Sequence, residues 1–274
     1  MNAVALEQLL PGVHVWLELP SRLGRPNAAA VVDEDGITVI DTLMVPSQYE
    51  PFADAVEALG LPIPRAVLTS SHIEFVGGTA RIRLAAVYGS AQASTHLDQP
   101  ADPENLRRLI PEFAGEFDDE LATRPVSHVV DAPVQLTPAL AVLPATGQMA
   151  ENLVVLAPGA DLLFAGAMCS FGVTPLCFQG DPGAWADALD QLVGLAPIIV
   201  PGHGPIGGEE EARDLQAYLR ACVDAAGDPA GIPGGPWDDW ANREHDVVNV
   251  ERAAMLARGD DSIPTSLLER LGRA

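Results

Sequence analysis

The sequence predicts an α/β protein in which two β-sheets pack face to face and helices cover their outer sides. Strand patterns concentrate in two regions of the chain, residues 12–69 and 129–164, and helical patterns follow each region. A sheet with one apolar face must bury that face against another layer. Two strand-rich halves within 274 residues therefore predict a sandwich of two sheets.

In the first half, the predicted elements are strands at 12–19, 28–32, 37–40 and 65–69 and a helix at 49–59. Residues 12–19 alternate apolar and polar side chains, as a half-buried strand does. Asp35 and Gly36 form a typical two-residue hairpin turn, so Asp41 lies at the end of a strand. The helix stops at Gly60, which favours a helix C-terminus.

In the second half, the predicted elements are a strand and loop at 84–97, an acidic helical stretch at 102–122, two strands within 129–143, a hairpin of 153–156 and 162–164, a helix at 184–195 and a last strand at 196–201. An amphipathic helix is expected at 209–226, followed by a Gly/Pro-rich hinge at 227–236. We therefore predict a sandwich domain of residues 1–208, with 209–274 as a helical extension packed on the same domain.

The composition narrows the range of partners. Asp and Glu number 38 against 15 Lys and Arg, so the net charge of −23 repels nucleic acid and anionic membrane surfaces. No apolar window is long enough to cross a membrane, and the first ten residues lack the features of a signal peptide, so we expect a cytoplasmic protein. The three cysteines indicate reduced thiols. A small-molecule substrate is the expected partner, and the oligomeric state is left open.

Two segments identify a known family. Residues 69–78 (TSSHIEFVGG) follow a buried strand, and residues 200–205 (VPGHGP) follow the last strand. They resemble the T-H-x-H-x-D-H-x-x-G and P-G-H-G-P segments of the metallo-β-lactamase superfamily. Asn27, Asp41 and residues 163–166 (LFAG) are further landmarks of the family in the same order. The resemblance spans roughly residues 10–225 and implies a four-layer αββα sandwich.

The resemblance also implies where metal ligands should lie. Members of the family hold two metal ions with imidazole and carboxylate ligands. The corresponding positions here are Ser70, His72, Glu74, Phe75, Gln148, Ala167 and His203. Of these, His72 and His203 keep the family's residue, and Glu74 replaces an aspartate. A two-metal site is therefore not expected, and we predict no metal and no cofactor.

The remaining ionisable groups are the candidate catalytic residues. His72, Glu74 and His203 would face the pocket at the mouth of this fold, where burial changes the pKa values of such groups. Ser70 and Ser71, beside them in the chain, suggest a serine nucleophile, although the sequence has no G-x-S-x-G turn and no identifiable oxyanion donor. The predicted catalytic set is His72, Glu74, His203 and Ser70.

Other residues are expected to line or support the pocket. The predicted pocket residues are Ser71, Phe75, Gln148, Cys169 and Asp41. Asp41 has an alternative structural role, since a carboxylate at a strand end can tie loops together by hydrogen bonds. The four other histidines, which lie outside the motifs, are expected on the surface or hydrogen-bonded in the core: His14, His96, His128 and His245.

The sequence therefore favours an enzyme on a metallo-β-lactamase scaffold that needs no metal. Acid and base side chains would serve a hydrolase, lyase or cyclase acting on a small organic substrate, such as an acyl or polyketide-like compound. One alternative is a non-catalytic protein that binds a ligand or a partner. Another is a hydrolase with one metal ion, held by His72, Glu74 and His203.

Overall fold

The computed structural model describes residues 4–99, 102–118 and 121–273. Within these ranges the first sheet has seven strands, in the order in which they occur in the chain: β1 (Leu6–Leu10), β2 (Val13–Trp16), β3 (Ala28–Asp33), β4 (Gly36–Ile40), β5 (Arg65–Val67), β6 (Ala86–Gly89) and β7 (His128–Val129). Strands β1 to β4 are antiparallel, and β4 to β7 are parallel. The predicted hairpin at Asp35 and Gly36 is confirmed.

The second sheet is formed by five strands in the described part of the chain: β8 (Val134–Thr137), β9 (Leu140–Ala145), β10 (Asn152–Ala157), β11 (Leu162–Ser170) and β12 (Ile198–His203). Its order is β12-β11-β10-β9-β8. Only the pair β11 and β12 is parallel among these strands. Strand β11 is buried along its whole length, because it lies inside the sheet and is covered on both faces.

The described residues form eight α-helices: α1 (Pro46–Glu57), α2 (Ile73–Val76), α3 (Ala91–Leu97), α4 (Pro103–Leu109), α5 (Pro182–Leu192), α6 (Glu209–Asp224), α7 (Asp246–Ala257) and α8 (Thr265–Arg270). Helices among these cover both outer faces of the sandwich. Phe52 and Val56 of α1 pack on the outer face of the first sheet. Trp185 of α5 and Leu215 of α6 pack on the outer face of the second sheet. The two outer layers complete the predicted sandwich.

A third apolar cluster joins the two sheets. Val31 and Val67 from the first sheet contact Val155, Phe164 and Val200 from the second. Because successive side chains of a strand point to opposite faces, each sheet buries one face here and the other beneath helices. The architecture is therefore the four-layer αββα sandwich that the sequence predicts.

The structure corrects two predicted elements. Residues 91–97, expected in a loop, form helix α3, because the Ser90 side chain caps its first turn by accepting a hydrogen bond from Ala93 N at 3.0 Å. Residues Leu6–Leu10, which were not assigned, form β1 against β2. In the acidic stretch, α4 is followed by a 3₁₀ turn at Pro111–Glu116, and positions 119–120 of that prediction lie outside the described residues.

The C-terminal region lies at the same end of the sandwich as the loops that carry the sequence motifs. Arg252 of α7 is buried and donates hydrogen bonds to the carbonyl oxygens of Gly180, Asp261 and Ser262. These bonds tie the segment before α8 to the loop before α5. The division of the chain at residue 208 stays a prediction, and its positions 1–3 and 274 lie outside the described residues. No helix in the described ranges is long and apolar enough to span a membrane.

Candidate active site

Asn27 and Asp41 connect the loops beneath the site by hydrogen bonds. Asn27 Nδ2 donates to the carbonyl oxygens of Pro201 at 3.0 Å and Gly204 at 2.8 Å. Asp41 accepts hydrogen bonds from both the backbone N–H and the hydroxyl of Thr69, each at 2.7 Å. Burial raises the pKa of Asp41 to about 7, although the Thr69 bonds oppose that shift. These contacts hold the loops after β4, β5 and β12 in place.

A cavity of about 440 Å³ opens at the ends of these strands. Its wall is largely apolar and includes side chains from α4, α8 and the loop before α5, among them Leu106, Leu109, Leu176, Phe178 and Leu267. Polar side chains also line it, and those discussed below include Ser71, His72, Glu74, Gln148, Gln179 and His203. A largely apolar cavity with convergent polar groups is typical of a site for a small organic ligand.

Glu74 and His203 form a buried pair in this cavity. Glu74 Oε1 lies 3.5 Å from His203 Nε2 and accepts a hydrogen bond from the backbone N–H of Gly24 at 2.6 Å. His203 Nδ1 lies 3.1 Å from the carbonyl oxygen of Arg25. Both ring nitrogens therefore face acceptors, which favours the doubly protonated imidazolium. The convergence of these two side chains follows the sequence prediction.

Their surroundings shift both pKa values towards the charged pair. Burial opposes the charge on each group, but for both groups the attraction to the oppositely charged partner outweighs this effect of burial. The charge and hydrogen bond of His203 hold the pKa of Glu74 below its usual value. The charge and hydrogen bond of Glu74, together with the backbone carbonyl of Arg25, raise the pKa of His203.

His72 lies in the same cavity but has a different environment. Its Nε2 lies 2.8 Å from Gln179 Oε1, and its ring stacks on Phe178 with 5.2 Å between ring centres. Burial lowers the pKa of His72, and the Gln179 bond offsets this only in part. The neutral ring that donates Nε2–H to Gln179 leaves Nδ1 as a proton acceptor.

The two serines have different partners. Ser70 is buried, and its hydroxyl lies 3.1 Å from Gln148 Oε1. Ser71 is half-buried, and its Oγ lies 2.8 Å from His96 Nδ1. Ser71 lines the cavity, whereas Ser70 is not among the lining residues and contacts Gln148 and the sulfur of Met149. The predicted catalytic role of Ser70 stays a prediction.

Two predicted pocket residues also lie outside the cavity wall. Phe75 is fully buried, and its ring packs against the His203 ring with 5.7 Å between centres. Asp41 lies beneath the loop that starts at Thr69 and supports it. Gln148 and Cys169 do line the cavity. Burial raises the pKa of the Cys169 thiol to about 12, so it is a neutral wall residue near pH 7.

Several polar residues of the cavity wall were not predicted to lie there, among them His96, Gln179 and His245. His245 is buried, and its Nδ1 lies 2.9 Å from the carbonyl oxygen of Thr174. Its Nε2 has no hydrogen-bond partner among the described residues. His245 is therefore a hydrogen-bonded core residue, as expected, and it also lines the cavity, which the sequence did not indicate.

The side chains at the positions of the family's metal ligands differ from those that a two-ion centre needs. Ser70 and Gln148 are bonded to each other, Phe75 has no donor atom, and Ala167 offers only a methyl group. In the described ranges, no group of three or more His, Cys, Asp or Glu side chains is arranged to hold a metal ion. This donor set does not fit the dinuclear centre that the resemblance implies.

Comparison with known proteins places the fold in a class. No protein-family model matches the chain. Among solved structures, the FIM-1 metallo-β-lactamase from Pseudomonas aeruginosa in its mono-zinc form is 21% identical, with 85% of this chain and 98% of that chain covered and a TM-score of 0.61. VMB-1 is 17% identical, with 81% and 99% covered and a TM-score of 0.63.

A metallo-β-lactamase from Hirschia baltica gives a similar result, with 20% identity, 80% of this chain and 98% of that chain covered, and a TM-score of 0.60. Similarity at this level of identity concerns the fold. The chain has the metallo-β-lactamase fold, and its reaction must be argued from its own side chains.

Proposed function

We propose that the protein is an enzyme that carries out acid–base chemistry, without a metal ion, on an apolar acyl-type substrate bound in the cavity. The observation that supports this most directly is the opposite shift of two histidine pKa values in one cavity. The pKa of His72 is lowered and that of His203 is raised. Near neutral pH such a pair supplies one base and one acid side by side.

Each group has a defined role in the proposed chemistry. His72 Nδ1 accepts a proton from water or from the substrate, and His203 Nε2 donates a proton to the leaving group or to a developing oxyanion. Glu74, 3.5 Å from His203 Nε2, stabilises the imidazolium and takes no proton itself. Hydrolysis, elimination and cyclisation all require one proton to leave and one to arrive, so all three are compatible with this arrangement.

The chemistry of the cavity wall supports a neutral, apolar substrate. Leucine side chains from α4 and α8 form much of the surface, and each buried methylene of a ligand contributes about 0.8 kcal/mol to binding there. The net charge of −23 opposes the approach of an anion. Acyl or polyketide-like compounds with uncharged chains meet both conditions.

A non-catalytic binding protein is the second candidate, and one observation favours it. Ser70 and Gln148 bond to each other at 3.1 Å where the family has two metal-binding histidines. A hydrogen bond between these two positions is expected in a site that has kept its shape and lost its catalytic activity. This candidate predicts tight binding of apolar ligands without any turnover.

A substrate panel with histidine variants tests the proposal. The panel consists of p-nitrophenyl esters of two to eight acyl carbons and β-hydroxyacyl thioesters, which report hydrolysis and dehydration. We expect kcat/KM to rise with chain length, and His203→Gln and His72→Gln to lower kcat by on the order of a hundredfold. Glutamine keeps an N–H donor near Nε2 in both variants.

His128→Gln is the matched control, because His128 is exposed on β7 outside the cavity wall. Its kcat should equal that of the wild type. Unchanged turnover in both cavity variants would contradict the acid–base roles. Binding of the panel compounds without turnover would favour the non-catalytic candidate.

A further inference from the structure

We propose that Ser71 is a nucleophile, activated by His96, that forms a covalent acyl intermediate. The proposal rests on the proposed function, because it takes the same cavity as the substrate site and narrows its reaction to acyl transfer. For acyl transfer, His96 takes the base role that the proposed function gives to His72, and His203 keeps its role as donor to the developing oxyanion. It concerns a pair of residues separate from Glu74 and His203. The pair is brought together only by the fold, since 25 positions separate its members.

The contact between the two side chains is that of a nucleophile and its base. Ser71 Oγ lies 2.8 Å from His96 Nδ1, and both residues line the cavity. The other nearby acceptor for the hydroxyl proton is Met149 Sδ at 3.1 Å. A thioether sulfur is a much weaker acceptor than an imidazole nitrogen, so the proton points to His96. This geometry meets the distance required between a serine and its general base.

The position of each residue is fixed by its neighbours. Ser71 lies in the loop after β5, which Asp41 anchors through two hydrogen bonds to Thr69. His96 lies in the last turn of α3, whose first turn is capped by Ser90. Rigid support on both sides favours a pre-formed pair.

Gln148 provides the donor that the sequence did not reveal. Its Oε1 accepts the hydrogen bond from Ser70, and its amide NH₂ group has no acceptor among the residues described. The side chain is buried and lines the cavity. Ser70 is hydrogen-bonded to Gln148, and Ser70 and Ser71 both contact Met149 Sδ, so these side chains form one linked group at the cavity. An amide N–H that reaches the carbonyl oxygen of a substrate bound at Ser71 would stabilise the oxyanion of a tetrahedral intermediate.

The proposed reaction balances within the site. Ser71 Oγ attacks the carbonyl carbon of an ester or thioester while its proton passes to His96 Nδ1. The bond from carbon to the leaving group breaks, and His96 returns the proton to the departing alcohol or thiol. Water then attacks the acyl-serine with His96 as base, which releases the carboxylic acid and restores Ser71.

An alkyl fluorophosphonate with an eight-carbon chain tests the nucleophile directly. In the expected reaction the Ser71 oxygen forms a bond to phosphorus, fluoride leaves, and His96 accepts the proton. Intact-mass analysis of the wild-type protein should show one adduct per chain, and peptide mapping should place it on Ser71. An adduct on another residue, or no adduct, would overturn the proposal, whatever the variants do.

Ser71→Ala should abolish labelling, and His96→Gln should slow it by on the order of a hundredfold. Ser127 is a matched control, because its Oγ lies 3.0 Å from His128 Nδ1 and both residues are exposed. Ser127→Ala should label at the wild-type rate. Equal labelling of Ser71 and Ser127 would overturn the proposal, because any contact between a serine and a histidine would then suffice.

The outcome can be separated from that of the proposed function. Labelling of Ser71 is measured on the wild-type protein, whereas the role of His203 is measured by turnover of the ester panel, so the two results are independent. If His203 is needed for turnover of the ester panel and Ser71 is never labelled, the nucleophile is wrong and the acid–base function stands. If Ser71 is labelled and no panel compound turns over, the nucleophile stands and the proposed acid–base function is wrong for these substrates.

Discussion

The Glu74 and His203 pair shows how one residue can set the protonation of another. Both side chains are buried, and burial alone would make each of them neutral. Each is charged because the other lies 3.5 Å away and because backbone groups of Gly24 and Arg25 complete their hydrogen bonds. A buried pair of this kind depends on both partners.

Glu74→Gln should therefore lower the pKa of His203. Without the carboxylate, burial becomes the main influence on the imidazole, and the pKa of His203 should fall below its ordinary value of 6.5. An NMR titration of the His203 Cε1–H signal measures this. Glu210→Gln, at an exposed position of α6, should leave the titration unchanged. The same His203 pKa in both variants would contradict the pairing.

At the level of single residues, sequence motifs located part of the site. His72, Glu74 and His203 lie in motifs whose spacing is tied to the fold, so their common location could be predicted. His96 and Gln179 contact Ser71 and His72 only through tertiary packing, and no local pattern marks them. Which of two adjacent serines faces the cavity also depends on side-chain direction, which a loop sequence does not determine.

Among secondary-structure elements, those with a strong periodic pattern or a clear turn were predicted well. The hairpin of β3 and β4 has such a turn, and α6 has such a period. Helix α3 has only seven residues and was missed, because so short a segment shows little periodicity and depends on its Ser90 cap. Strand β1 was missed because its stability depends on pairing with β2.

The turn after β12 depends on glycine at position 204. Gly204 has a φ of +99°, and a Cβ atom there would overlap the carbonyl oxygen of Phe171. Gly204→Ala should therefore lower the free energy of unfolding by at least about 2 kcal/mol, because it adds backbone strain to a steric clash. Urea unfolding measures the loss.

Gly159→Ala provides the comparison for this turn. Gly159 lies on the surface, and a Cβ atom there would have nothing within 4 Å. Its substitution should change the free energy of unfolding by less than about 0.5 kcal/mol. Equal effects at the two positions would contradict the positive φ of Gly204 and its close contact with Phe171.

For the molecule as a whole, the ionisable groups predict a decline of stability at alkaline pH. A raised histidine pKa contributes stability fully below 6.5, and this contribution is lost as the pH rises through the pKa of the folded state. Asp41, with a pKa of about 7, also keeps in the folded state a proton that the unfolded chain has already lost. His72 and His245, whose pKa values are lowered, act in the opposite direction, but only below 6.5.

The free energy of unfolding should therefore fall as the pH rises from 6.5 through the folded-state pKa of His203, at constant ionic strength. Urea titrations across this range measure the slope. His203→Gln should flatten it, because the variant removes the titrating group and keeps a donor near Glu74. A slope that is equally steep in the variant, or stability that rises through this range, would contradict the assigned charges.

In the proposed mechanism this metallo-β-lactamase fold works through its own acid and base groups. The most direct measurement is kcat/KM, on the best substrate of the panel, before and after exhaustive chelation and after addition of one equivalent of zinc, with metal content determined on each sample. We predict the same kcat/KM and the same melting temperature in all three samples, because a metal bound to the native state would stabilise it. Loss of activity on chelation, with recovery and a raised melting temperature on addition of zinc, would contradict the claim.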